Sequence, residues 1–177
     1  MRRHLPILAL TAVALLAAST VAAQPGRTLD RFETGEGISL PTGRLQLVSG
    51  TAEAAFFIDL DRVERTGDVV TYWTYAAYVP GTQIGKRVVV QDTALQVIDC
   101  ARRTIHTLGV SSYDEGGRFV VGLPADEVEP IAARSAHDFQ ARVLCDGAVL
   151  PPTNTLQGHA AALAVARAML GAKASPA

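Results

Sequence analysis

Apolar and polar positions first fall into a regular alternation at Arg44, where Leu45 and Leu47 share one side of a strand. After a turn at Gly50, a second strand runs from Ala54 through Phe56, Phe57 and Ile58. Asp59-Leu60-Asp61-Arg62-Val63 breaks the alternation and predicts a single helical turn capped by Asp59. Gly67-Asp68 then predicts a tight turn. The run Val69 to Val79 is the strongest strand in the chain, β-branched and aromatic throughout and largely apolar on both faces, with Trp73 set among Tyr72, Tyr75 and Tyr78. Pro80-Gly81 predicts a break. Beyond it, Arg87 to Val90 and Ala94 to Cys100 make one long strand or a bent pair, and Arg103 to Leu108 another. Tyr113 to Gly117 reads as a hairpin turn leading into Phe119, Val120 and Val121. The period of two puts Leu95, Val97 and Asp99 on one face and Gln96, Ile98 and Cys100 on the other. Asp99 needs a partner if its face is buried, and Arg102 and Arg103 are the nearest cations in sequence.

Two helices finish the pattern. Ser135 is a good N-cap with Asp138 three residues on, Phe139, Val143 and Leu144 form an apolar stripe, and Gly147 stops the helix. Past Pro151 and Pro152, Leu156 to Leu170 is alanine-rich and predicts a second helix with Gly171 as its C-cap. The fold class is α+β: an antiparallel sheet of about five or six strands, one face covered by the helix from Ser135, with the C-terminal helix packed on the sheet or on a second copy.

The N-terminus changes the picture. Arg2 and Arg3 precede an apolar stretch from Leu5 to Ala18, and small residues end it at Val21-Ala22-Ala23. This is the order of a secretory signal peptide, too short to span a bilayer, with cleavage expected after Ala23. Residues 24–43, broken by prolines and glycines, read as a flexible lead-in, 44–150 as the folded domain, and 151–177 as an alanine-rich helix and tail. No cysteine near Ala23 can accept a lipid, so the expected product is periplasmic or secreted without a stable membrane anchor. In that oxidising compartment the only two cysteines, Cys100 and Cys145, can pair, tying a strand end to a helix end. Closing that loop stabilises the fold by up to about 4 kcal/mol in the loop-entropy model.

Charge and candidate chemistry narrow the function by what they lack. Loss of Arg2 and Arg3 takes the formal charge from −1 to −3, and no block of basic residues exists, which argues against nucleic acid and anionic lipid as partners. His106, His137 and His159 fall on different elements without metal-ligand spacing, so no metal or other cofactor is expected. None of the serines sits in a nucleophile elbow or beside a spaced lysine, and spacing gives no reason to pair Asp59, Asp61, Asp99 or Glu127. The expectation is therefore a non-enzymatic protein that works through a surface. Trp73, Tyr75 and Tyr78 are the candidate contact residues, either as core of a central strand or as rings held open for a ligand or protein partner. Two other classes stay open. One is a small periplasmic hydrolase or thiol-redox enzyme. The other is a structural envelope protein that forms homodimers through the small alanines of its C-terminal helix.

A specific set of segments carries a further signal: Phe57-Ile58-Asp59-Leu60, Gly67-Asp68-Val69-Val70 into Tyr72-Trp73, and Val97-Ile98-Asp99-Cys100-Ala101-Arg102-Arg103. Tyr113-Asp114-Glu115-Gly116-Gly117, Val128-Glu129-Pro130-Ile131 and the helix ending Val143-Leu144-Cys145 complete it. In this order, over roughly Arg44 to Cys145, the chain resembles the surface-adhesin protein E family of proteobacterial envelope proteins. The resemblance implies a small antiparallel sheet with a helix tied to it by a disulfide. It also implies a non-enzymatic role, with host-protein binding in the adhesin itself.

Overall fold

The computed structural model describes Phe32 and residues 38–171; the signal peptide and most of the lead-in expected from the sequence lie outside the described residues. Six strands follow one another as an antiparallel meander: β1 (Arg44–Gly50), β2 (Ala54–Thr66), β3 (Val69–Ile84), β4 (Arg87–Asp99), β5 (Thr104–Tyr113) and β6 (Phe119–Pro130). Helix α1 (Ala136–Leu144) comes next, then a short 3-10 turn at Pro152–Asn154, strand β7 (Thr155–Gln157) and helix α2 (Gly158–Gly171). β7 pairs with β1, so the sheet has seven strands in the order β6-β5-β4-β3-β2-β1-β7. The extra strand is three residues long and offers no alternation to read in the sequence.

Both faces of the sheet are covered, which accounts for the apolar character of β3 on both sides. Alternation sends Tyr75 and Ala77 to one face, here the front, and Val70 and Tyr72 to the back. On the front, Leu45, Phe57, Tyr75 and Ala77 pack under Ala162, Leu163 and Ala166 of α2. On the back, Ile58, Val70, Tyr72, Ile98 and Ile105 pack with Ala141 of α1 and with Cys100 and Cys145. Those two cysteines form a disulfide with Cα atoms 5.5 Å apart. Ser135 caps α1, its Oγ accepting from the Asp138 N–H at 3.1 Å, and Gly147 follows at φ +69°, a conformation that glycine adopts at little cost.

Two places predicted as interruptions lie inside strands. Register along β2 passes from Ile58↔Thr74 to Val63↔Tyr72, so residues 59–62 bulge out of the ladder and form no helical turn. Asp59 does close this bulge locally, with Oδ1 accepting from the Asp61 N–H at 3.1 Å, the kind of side chain-to-backbone bond that also caps helices. At Pro80, β3 continues through a cis Val79-Pro80 bond to Ile84, and the chain reverses at Gly85 instead. The exposed edge, β6, carries Pro124 and Pro130 with Asp126, Glu127 and Glu129, a composition that discourages pairing with another sheet.

Candidate functional site

The aromatic residues of β3 divide between the two faces. Trp73 and Tyr75 lie on the front, and Tyr78 lies on the back, so the three rings do not share one surface. Tyr75 is fully buried beneath α2. Its hydroxyl donates to Gln91 Oε1 at 2.9 Å, and Gln91 Nε2 in turn donates to the Asp114 carbonyl at 2.8 Å. Burial pushes that hydroxyl well above the ordinary tyrosine range, so it stays a neutral structural donor.

Trp73 is half-buried and meets three different partners. Phe32 stacks on it with ring centroids 5.9 Å apart. Room for Phe32 comes from Gly109 on β5 and Gly122 on β6, since a Cβ at the first would run into its ring and a Cβ at the second into its carbonyl oxygen. The guanidinium of Arg62 lies 4.6 Å from the indole centroid, within cation–π range. It reaches there because the β2 bulge swings Arg62 over the front, where Asp59, almost fully buried, accepts from Nε at 2.6 Å. Beside the ring opens a cavity of about 360 Å³ walled by Asp61, Arg62, Glu64, Thr71 and Leu95. A second, of about 270 Å³, lies between Pro41–Gly43 and the same Asp61 and Arg62. Asp61 is fixed by Arg44, whose backbone N–H and side chain both donate to it, and the backbone bond foremost holds its carboxyl below the ordinary range. The front therefore presents an indole edge flanked by both signs of charge.

On the back, beyond the end of α1, a smaller cavity of about 210 Å³ is lined by Phe56, Ala76, Ala94 and Val110 together with Tyr78, Asp92, Gln96 and His137. Tyr78 donates to Asp92 Oδ2 at 2.8 Å. Burial raises the Asp92 carboxyl above the ordinary aspartate range and lowers His137, against the opposing pull of Glu129. Asp92 and Arg62 were not among the sequence candidates, although each left a signal in the chain. Asp92 interrupts a long apolar strand two residues before Ala94, and Arg62 sits where the alternation of β2 fails.

The remaining sequence candidates take separate places. His106 faces Asp126 at 2.7 Å, His137 faces Glu129 at 3.6 Å, and His159 lies 3.2 Å from Gln91 Oε1. Asp99 finds Arg102, whose backbone N–H and guanidinium donate at 2.9 and 3.2 Å, while Arg103 turns to Asp138 and Asp146. Among the described residues no helix is long and apolar enough to cross a membrane.

Comparison with known proteins points one way. A family model described as surface-adhesin protein E matches residues 45–146, more than half of the chain. No curated protein matches it. Among solved structures, crystal form II of Haemophilus influenzae protein E is similar, with 14% identity and a TM-score of 0.50, over 62% of this chain and 95% of that one. The selenomethionine form of the same Haemophilus influenzae protein is 15% identical with a TM-score of 0.47, over 62% of this chain and 93% of that one. At such identity the likeness is one of fold.

Proposed function

Because the chain belongs to the surface-adhesin protein E family, we propose that it is an exported envelope protein that binds a protein partner and makes no covalent change to it. The front groove around Trp73 is its contact site. The observation that carries this reading is Trp73 itself, the tryptophan of the chain, lying half-buried at a cavity wall with Arg62 over its face. Tryptophan and arginine are the residue types most enriched where binding energy concentrates, and a rim of charges around an aromatic anchor is the usual anatomy of such a site. The expected signal peptide and the missing lipidation cysteine fit a protein released into the periplasm or beyond.

The test compares the unaltered protein with Trp73→Ala and Arg62→Ala, each checked for an unchanged fold by its melting curve. The proteins are immobilised and challenged with envelope and cell-surface protein fractions. Expected is a partner that the unaltered chain retains and that both variants release at least roughly ten-fold more readily. Equal retention by all three proteins, or retention by none, overturns the reading.

A further inference from the structure

The back cavity is independent of the Trp73 groove and has its own chemistry. Its floor is apolar, with Ala76 and Ala94 on the two central strands leaving space that larger side chains would fill, and Phe56 and Val110 at the sides. Polar groups stand at its two ends.

At one end is Asp92. Tyr78 donates to its Oδ2, and the Ser112 hydroxyl stands beside the carboxyl from the paired position on β5, but Oδ1 makes no hydrogen bond of normal geometry, and among the described residues no cation pairs with this carboxyl. At the other end is Gln96, only 5% exposed, whose Nε2 donates to Thr107 Oγ1 at 3.2 Å while its Oε1 has no partner. A largely buried carboxylate without a counter-ion is the costlier of the two, and a ligand that brings positive charge and N–H groups to that end relieves it. The surroundings favour the same sign. Glu127 and Glu129 pair in register with Thr107 and Ile105, so two of the three acidic residues of β6 lie on this face, and the titratable group that α1 contributes, His137, is shifted toward its neutral form.

Size sets the rest. At about 210 Å³ the cavity falls below the roughly 300–1,000 Å³ of sites for drug-sized molecules, so it takes a fragment or one side chain. We infer that the cavity binds a primary alkylammonium group with a short apolar stem, the ammonium at Asp92 and the stem across Ala76, Ala94 and Val110. A free small amine and a lysine side chain of a partner share this chemistry.

The experiment titrates butylammonium chloride into the disulfide-bonded protein and follows backbone amide resonances. Expected are saturable shifts at Asp92, Ala94 and Val110 with a dissociation constant on the order of millimolar. n-Butanol binds at least roughly ten-fold more weakly and butyrate gives no shifts. Asp92→Asn, which keeps an acceptor for Tyr78, loses butylammonium binding by a similar factor at an unchanged or higher melting temperature. N-acetyl-lysinamide separates the two sources: shifts equal to those of butylammonium assign the site to a lysine side chain, and shifts from butylammonium alone assign it to a free amine. The ligand series on the unaltered chain decides the matter even if the variant unfolds. Butanol binding as tightly as butylammonium, Asp92→Asn binding like the unaltered chain, or no saturable shift with any probe overturns the inference.

Discussion

Helix α2 meets the front of the sheet through Ala162, Leu163, Ala166 and Leu170, all buried and all apolar, whereas the buried residues of α1 on the back are Asp138, Gln140 and Ala141. The nine-residue α1 is too short to persist by propensity alone, and Phe139, the largest apolar side chain in its sequence, lies 37% exposed under Arg142. What fixes α1 is directional. Tyr72 donates to Gln140 at 2.8 Å, Arg103 and Arg142 both reach Asp138 at 2.9 Å, Arg65 donates to the Leu144 carbonyl, and the disulfide closes its C-terminal end. The two faces show two ways to hold a helix: by area removed from water, or by a few charged bonds and one covalent link where little apolar area is available.

The largest effect is expected on the front. Tyr75→Ala removes the ring under α2 and its hydrogen bond to Gln91, and should lower stability in urea unfolding by about 3–5 kcal/mol, with α2 amides losing exchange protection first. Next comes the covalent tie on the back. Cys100→Ser with Cys145→Ser should cost about 2–4 kcal/mol and expose the α1 amides to exchange while those of α2 stay protected. If loss of the disulfide loosens both helices alike, the contrast between the faces fails.

The smallest effect is electrostatic. Asp138 is held below the ordinary aspartate range by the N–H of Arg134 above all, and then by Arg142 and Arg103. A depressed folded-state value means that its contribution is complete above the unfolded aspartate range and is lost as pH falls through the folded one. Asp138→Asn should therefore melt below the unaltered protein at about pH 6, and the gap should close toward about pH 3. A gap that stays constant across this range would remove Asp138 from the set of groups that fix α1.

Most of the sheet was readable in the chain because its strands are long and β3 is β-branched and aromatic along its length. The ends of α1 were readable for a different reason, since Ser135 and Gly147 have local jobs that need no tertiary partner. Failures came where distant contacts decide. Residues 59–62 carry a capping aspartate whether they form a helical turn or a bulge, and only pairing with β3 selects the bulge. Pro80 ends many strands, yet here β3 has already turned toward its tip and runs on to Ile84. β7 exists because β1 has an open edge, a fact absent from its own three residues. For the candidate site, Trp73, Tyr75 and Tyr78 were grouped as one contact surface, although the period of two along β3 puts Tyr78 on the face opposite the other two. Depth was not readable, because it depends on α2 arriving over Tyr75 and Phe32 over Trp73.

The sulfur link between residues 100 and 145 encloses β5, β6 and α1 in a single macrocycle. A protease in the envelope that severs the hairpin at Glu115-Gly116 therefore opens a ring and does not divide the molecule. The two fragments stay covalently joined until a reductant arrives, and the front groove is built mainly outside that ring.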